Sequence, residues 1–388
     1  MTTVFWISAI LLFHTYFGYA ISVWILSRLR KRSAISQTEL EYKPRIAFII
    51  PAYNEASVIE EKCRNTLALD YPPESLDIIV VTDGSTDRTP ELAARFRRVR
   101  VLNKAERGGK AAALNRAVIE AGFADMLVFS DANTLLSADA LQHLMRHYAD
   151  PATGGVSGEK RVDRVARHPV HGEGIYWQYE SVMKRLDADF YSLIAAAGEL
   201  FSIRKKLWQP IPEDTILDDL HLTLSVCLRG YRFRYEPMAV ATEPPSPALA
   251  DEQERKVRIA AGAFQIFFRF RTLWSPIGHF RLWYIYFSRR VFRWMVAPLC
   301  LLLLLISNFW ILSTAETPLL FLQFFGGLQL LGYASAMLGW GLIRAGRRVP
   351  WVFQVCFYLV FMHLSMFLGL VRYLSGKQTA VWQKSPRC

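Results

Sequence analysis

Residues 1–27 contain no Asp, Glu, Lys or Arg, and the runs 295–315, 317–343 and 349–371 are equally free of charge. A helix built from any of them is long enough to cross a hydrocarbon core of about 30 Å. The chain is 52% hydrophobic over 388 residues, too apolar for a plain soluble domain, and the excess sits in these blocks. Whatever folds here must divide itself between lipid and water. The first run lacks a basic leader, exceeds the apolar length of a cleaved leader and precedes no small-residue cleavage site. It is expected to stay as an anchor over residues 1–32.

The formal charge of +12 gathers at the ends of these segments. Arg28, Arg30, Lys31 and Arg32 follow the first, and Arg344, Arg347 and Arg348 follow the third, whereas the turn near Glu316 has no basic residue. Basic loops stay on the cytoplasmic side. The N-terminus is therefore expected outside, residues 28–290 in the cytoplasm, 314–317 outside and 344–348 inside, in a multi-pass protein of the plasma (inner) membrane. Residues 291–345 supply two transmembrane helices, and 346–388 a further transmembrane or interface helix with a C-terminal tail. That last run is basic on both flanks, with Arg372, Lys377, Lys384 and Arg387 after it, and it carries Gln354, His363 and Ser365. Such flanks favour a helix that lies in the interface or re-enters, with Cys388 cytoplasmic. Topology and anionic lipid account for the basic excess, so the bilayer is an expected partner and nucleic acid is not. The five cysteines show no zinc spacing.

Between 44 and 245, short apolar runs alternate with helical stretches, the pattern of βαβ units and a mostly parallel sheet. Strands are expected at 46–50, 76–82, 99–103 and 126–130, with helices at 56–69, from about Pro90, and at 110–121. A helix over 218–228 closed by Gly230 and strands near 231–242 complete the domain. Residues 250–272 put Ile259, Ala263, Ile266, Phe267 and Phe270 on one helical face, with Glu252, Arg255 and Lys256 largely off it. That suits an amphipathic helix on the membrane surface, within a 246–290 interface region, or one packed on the domain.

Acidic residues stand where the expected strands end. Tyr53 follows the first strand and offers a ring on which a base can stack, while Asn54 and Glu55 can hydrogen-bond a nucleoside or cap the next helix. Asp83, in Asp-Gly-Ser-Thr-Asp after the second strand, can accept from a base N–H or a ribose hydroxyl; the same stretch also reads as a helix cap. Gly108-Gly109-Lys110 opens an Ala-rich helix, an anion site without P-loop spacing, so Lys110 is expected at the nucleotide or its phosphates. Asp131-Ala132-Asn133 places two oxygens on alternate residues, a seat for a divalent ion held mainly by phosphates, with the neutral Asn133 the weaker ligand. Adjacent Asp218 and Asp219 raise one another's pKa, which suits a base working near neutrality, although acids at a helix start are also favoured by its dipole.

This ordered set, together with Gly198-Glu199 and Gln253-Glu254-Arg255-Lys256, resembles the inverting family 2 glycosyltransferases with a GT-A fold. The likeness is to their membrane-integrated branch, which makes cellulose, chitin, hyaluronan and poly-N-acetylglucosamine. It implies a Rossmann-like, mostly parallel α/β domain inserted between transmembrane helices, with amphipathic interface helices. It implies that Asp83 and Lys110 bind the nucleotide, that Asp131 holds Mg2+ or Mn2+, that Asp219 is the general base, and that Gln253 contacts the diphosphate. The tail Trp382-Gln383-Lys384-Ser385 is similar to the gating segment of these synthases.

The expected protein is thus an inverting hexosyltransferase. It takes a nucleotide-sugar, a UDP-sugar by resemblance, to a glycan hydroxyl at the cytoplasmic face, in synthesis of a β-linked extracellular or capsular polysaccharide. A single transfer to a polyprenyl-phosphate-linked or other lipid-linked acceptor is the alternative, and a non-catalytic subunit or sugar channel a more distant one. A second copy or an export partner would complete the assembly. Asn133 replaces the family's second acid, Asp218 its usual Glu, Lys256 its Arg, and Val257 the Trp that would stack on the acceptor sugar. Loss of that ring predicts shorter products, unless Phe264 or Trp382 takes over.

Overall fold

A computed structural model describes residues 1–29, 43–162, 172–244, 249–317 and 319–381. The chain forms two compact units. One, the catalytic unit, comprises Leu29–Ala166, Glu180–Ser246 and Thr379–Cys388; the other, the helical unit, comprises Met1–Arg28, Arg167–Tyr179 and Pro247–Gln378. The basic cluster Arg30, Lys31 and Arg32 and the tail 382–388, with Trp382 and Cys388, lie outside the described residues.

The catalytic unit is built on an eight-stranded sheet. In chain order its strands are β1 (Ile46–Ala52), β2 (Leu76–Thr82), β3 (Val99–Leu102), β4 (Met126–Phe129), β5 (Leu135–Leu136), β6 (Thr153–Val162), β7 (Phe201–Arg204) and β8 (Arg232–Glu243). Every residue of β1 is buried. Its sequence Ile-Ala-Phe-Ile-Ile-Pro-Ala shows no alternation because helices cover both faces, as parallel strands require. The spatial order is β3-β2-β1-β4-β7-β6-β8-β5. β1 pairs in parallel with β2 and with β4, β2 with β3, and β6 with β8, while β7 runs antiparallel to both β4 and β6.

The chain steps from β1 to β2 and β3 on one side, then returns to place β4 on the other. That reversal opens a crevice at the carboxyl ends of β1, β2 and β4, the place where open α/β sheets bind ligands. Tyr53, Asp83 and Asp131 all sit on that edge. Beneath it, Ile46, Phe48, Ile50, Ile78, Val80 and Val128 pack against the helix Ala140–Met145 and its neighbours in one continuous core.

β2 and the helix Asp218–Leu228 fall on their expected bounds. The strands expected near 231–242 are the single β8. Periodicity leaves β5, β6, β7 and the helix Gly172–Phe190 unassigned. β6 reads Thr-Gly-Gly-Val-Ser-Gly, a turn signature, yet these glycines serve close packing: a Cβ on Gly155 would sit 2.2 Å from the Phe233 ring, and one on Gly158 2.5 Å from the Ala239 carbonyl oxygen.

In the helical unit, Thr2–Arg28, Phe280–Thr314, Leu320–Arg344 and Trp351–Leu374 have the length and apolarity to cross a membrane. The second begins fifteen residues before its charge-free stretch would suggest, because the helix Phe280–Ile285 and an eleven-residue π-helical segment, Tyr286–Val296, run into it without a break. The helix Leu249–Arg269 buries Val257, Ala260, Ala261, Ala263, Phe264 and Ile266. Glu252 and Lys256, expected off the buried face, are buried too: burial is tolerated because they pair at 3.2 Å.

This helix and Trp351–Leu374 share a seam. A Cβ on Gly369 would meet Ala260 Cβ at 2.3 Å and the backbone of Ala261 and Val257 at 2.9 Å. Phe264 stacks on Tyr373 with ring centroids 6.4 Å apart, and Phe268 at 5.8 Å. Gly369→Ala should force these helices apart at a cost of about 1–3 kcal/mol, the usual penalty of overpacking. A thermal melt of the purified protein that matches wild type would show that the seam is loose.

Candidate active site

Three loops at the carboxyl edge of the sheet build the site, and each is held by its own hydrogen bonds. Asn54 has a left-handed backbone, φ 54°, which its short polar side chain tolerates. Its backbone N–H donates to Ser85 Oγ at 3.1 Å, and its side-chain oxygen accepts the Thr86 N–H at 2.8 Å. The first loop is thereby fastened to the second, so Asn54 is structural. Glu55 is buried, and its N–H donates to Thr89 Oγ1 at 2.8 Å. Asp87 accepts from the N–H groups of Ala56, at 3.1 Å, and Thr89, at 3.0 Å, so it braces the turn that leads into the helix Thr89–Ala94.

Asp83 is turned onto the third loop. One carboxylate oxygen accepts the Gly108 N–H at 2.9 Å and the other the Gly109 N–H at 2.7 Å. Gly109 has φ 92°, a conformation open to glycine, and it is the residue just before the helix Lys110–Ile119. Asp83 thus fixes the entry of the helix whose first residue is Lys110. Tyr53 carries the Arg107 guanidinium 3.6 Å from its ring centre.

Lys110 Nζ lies 2.9 Å from Asp131 Oδ1 and 3.5 Å from Asp218 Oδ2. Burial alone would lower its pKa, but the charges of Asp131, Asp218 and Asp219 outweigh that and hold the ammonium charged well above the ordinary lysine range. Asp219 is the reverse case. Burial and then the Asp218 charge push its carboxyl up to about 7, against the pull of Lys110 and of the Leu220 N–H, which donates to Asp219 Oδ1 at 2.7 Å. Gly198 brings the Gly198-Glu199 turn to the same place: a Cβ there would lie 3.6 Å from Asp219 Oδ2 and 4.0 Å from Lys110 Nζ.

Behind Asp131 stands a lysine that motif reading passes over. Lys62 is fully buried and donates to Ser130 Oγ at 2.7 Å and the Thr134 carbonyl at 2.8 Å, fixing the turn that carries Asp131. Burial pushes its pKa down to about 7, opposed by the Asp131 charge. Its signal in the sequence is a lysine on the apolar face of the helix Ile59–Leu67, beside Ile59, Cys63 and Thr66. Lys160 is likewise buried and pairs with Glu199 Oε1 at 2.5 Å and with Glu243.

Among the described residues no three His, Cys, Asp or Glu side chains converge as a metal cage. The Asp131 side chain is one-third exposed (33%), and Asn133 follows two residues on in the same turn. That donor set fits a hard divalent ion bringing most of its shell from a diphosphate and water. Gln253 and Lys256 belong to the helical unit, on Leu249–Arg269; the Lys110–Asp131–Asp218–Asp219 cluster is built by the catalytic unit alone. Val257 is only 4% exposed, and the seam with Gly369 occupies its surroundings, so the position is no open platform for a sugar ring. Phe264 is engaged with Tyr373.

A GT-A-like sheet with carboxylates on its ligand edge and a lysine among them defines a sugar-nucleotide transferase domain. Residues 47–209 match Glycosyl transferase family 2. Among curated relatives, poly-beta-1,6-N-acetyl-D-glucosamine synthase of Staphylococcus aureus (strain COL) is 30% identical over 255 residues, covering 62% of this chain. The match spans 59% of that relative's length. The synthase of the same name from Staphylococcus epidermidis is 24% identical over 288 residues, 71% of this chain and 68% of its own. The solved mannosyltransferase PcManGT of Pyrobaculum calidifontis, in complex with GDP-Man and Mn2+, shares the fold with a TM-score of 0.72. It is 24% identical, and the likeness covers 96% of this chain and 99% of that one.

Because the Lys110 charge holds the Asp219 pKa down, Lys110→Met should raise it by about a unit or more. The acidic limb of the kcat–pH profile, expected near pH 7 in the wild type, should then move to higher pH. A limb that stays in place while the rate falls would mean that Lys110 acts on substrate alone.

Proposed function

We propose that this protein is an inverting glycosyltransferase that moves a sugar from a nucleotide-sugar, a UDP-sugar, to a hydroxyl of a glycan acceptor, in the synthesis of a β-linked polysaccharide. The observation that carries this reading is the Lys110 ammonium between Asp131 and Asp218, with Asp219 beside it raised to about 7. A base of that pKa is half ionised at neutrality, where general-base catalysis works best. Asp219 takes the proton of the acceptor hydroxyl, whose oxygen attacks the anomeric carbon. The bond from that carbon to the diphosphate breaks on the opposite face, so the configuration inverts and the nucleoside diphosphate leaves with the electron pair. Lys110 supplies fixed positive charge to the departing diphosphate, a contribution of the kind that often dominates such barriers. Asp131, with Asn133, would hold a divalent Mg2+ or Mn2+, which would neutralise further phosphate charge.

The synthase names of the relatives support a polysaccharide product. A single addition to a lipid-linked acceptor is the second reading, and the burial of Val257 favours it. Where the family resemblance implies a tryptophan face for the acceptor, this chain has a helix seam, so Val257→Trp would overpack the seam rather than lengthen a product.

A cytoplasmic catalytic unit with a cytoplasmic C-terminus extends the proposal. Residues 380–381 lie beside Gly109 in the catalytic unit, where a Cβ would meet Val381 at 3.7 Å and the Ala380 carbonyl oxygen at 3.8 Å. The helix Trp351–Leu374 also packs along Leu249–Arg269, whose Asp251, Glu252, Glu254, Arg255, Lys256 and Arg258 suit an interface and not a hydrocarbon core. Both support an interfacial or re-entrant course for it, despite its adequate length.

Asp219→Asn should reduce transfer by about 10²–10⁴-fold while leaving UDP-sugar binding within a few fold, because the base acts on the acceptor. Retention of more than about a tenth of the wild-type rate would remove Asp219 from that role. Asp131→Ala should instead lose the Mg2+- or Mn2+-dependent part of UDP binding, measured by titration with and without the metal. For the topology, a variant retaining only Cys388 should resist an impermeant maleimide in intact cells and react after lysis. Labelling with the membrane unbroken would put the C-terminus outside.

A further inference from the structure

We infer that Lys62 and Ser130 are positioning residues for the transfer: they begin a buried hydrogen-bonded brace that sets the distance between Asp131 and Asp219. The inference rests on the roles proposed above for those two acids, and it adds residues that stand behind the crevice rather than in it. Every member of the brace belongs to the catalytic unit.

The direction of the brace follows from its donors. An ammonium can only donate, so Ser130 Oγ accepts from Lys62 at 2.7 Å and must send its own proton elsewhere. The nearer acceptor is the Glu199 carbonyl oxygen at 2.8 Å, with Thr134 Oγ1 at 3.0 Å. Lys62 also donates to the Thr134 carbonyl at 2.8 Å, and the Thr134 hydroxyl donates back to the Asp131 carbonyl at 2.8 Å. One ammonium therefore holds the turn that carries Asp131 and, through a single hydroxyl, the segment that ends at Glu199.

That segment carries the tie on to Asp219. The Ala196 N–H donates to Thr223 Oγ1 at 3.2 Å, and the same hydroxyl donates to the Asp219 carbonyl at 2.6 Å. The Ala197 N–H donates to Ser157 Oγ at 2.9 Å, and Lys160 holds the Glu199 side chain. Lys62, Ser130, Ser157 and Thr223 are all buried, so water does not compete for these bonds. Between them, Gly198 passes Asp219 closely enough that a Cβ would lie 3.6 Å from its Oδ2. A shift at Ser130 is thus felt on both sides of the crevice. An inverting transfer needs the attacking oxygen and the departing diphosphate on opposite sides of one carbon, and a misplacement of about 1 Å can cost about 100-fold in rate. Donor binding draws on the Asp131 side, whereas transfer needs both sides in register.

The test compares full-length wild type, Ser130→Ala, Lys62→Met and the double variant in detergent, by UDP release from the UDP-sugar donor and by amide hydrogen exchange. Ser130→Ala should lower kcat by roughly ten- to a hundred-fold and leave the donor KM within about threefold. Lys62→Met also frees the Asp131 turn and should lower kcat at least as far. The double variant should fall well short of the product of the two losses, because both interrupt one path. In Ser130→Ala the amides of Ala196 and Ala197 should exchange faster, while those of Gly108 and Gly109, held by Asp83, should not change. If Lys62→Met fails to fold, the smaller Ser130→Ala change carries the comparison. A lower melting temperature with kcat per folded enzyme unchanged would reduce both residues to a role in stability and overturn the inference. Losses that multiply in the double variant, or an effect confined to KM, would overturn it as well. If the wild type releases no UDP from any UDP-sugar, the proposed function fails instead, and the exchange comparison alone decides the brace.

Discussion

The interaction on which the site depends is the pairing of one half-buried lysine with two carboxylates, Asp131 and Asp218, beside the charge of a third, Asp219. Lys110 alone would lose charge on burial, and Asp131, Asp218 and Asp219 could not be gathered so closely without a cation. Each makes the other tolerable, and the arrangement leaves a net negative charge. A negative crevice would repel a diphosphate, so the donor has to arrive with added positive charge. That is the physical reason for expecting a divalent ion at Asp131, independent of any relative solved with one. The same imbalance tunes Asp219, the proposed base: burial and then Asp218 push its carboxyl up to about 7 while Lys110 restrains it.

Holding such a cluster requires support that is itself buried and polar. Lys62 fixes the Asp131 turn from behind, Asp83 fixes the entry of the helix that begins with Lys110, and Lys160 anchors Glu199 in the turn beside Asp219. Each supporting group satisfies its charge or its hydrogen bonds locally. The functional carboxylates are thereby fixed before any ligand binds, which is what electrostatic preorganisation demands.

Much of this was legible in the sequence because parallel strands announce themselves. β1 and β4 are unbroken apolar runs, β2 is apolar between Asp77 and Thr82, and the residue types at their ends are few. The order of those ends gave Tyr53, Asp83 and Asp131 on one edge, and the helix Asp218–Leu228 was placed at its true bounds. What stayed hidden depends on partners far along the chain. Asp83 bonding to Gly108 and Gly109 looks, in sequence, like an acid free for a nucleoside. β6 reads as a turn because its glycines answer to Phe233 and Ala239, about eighty residues away. Val257 reads as a lost sugar platform, and only the approach of Gly369 shows a helix seam there. Lys62 and Lys160 break the rule that lysine marks surface, and they do so in service of the site.

The sheet order has a consequence for how the enzyme comes into being. β1 to β4 are local in sequence and form one half of the sheet, whereas β7 must travel back to pair with β4 before β6 and β8 can join it. Non-local pairings of this kind are slow to form, and chains fold as they emerge. The half bearing Tyr53, Asp83, Lys110 and Asp131 can therefore form first, and Asp219, further along the chain, joins it later. On the reading proposed above, a nascent chain would hold its donor-facing residues before its base, and it could not spend activated sugar until the domain is complete.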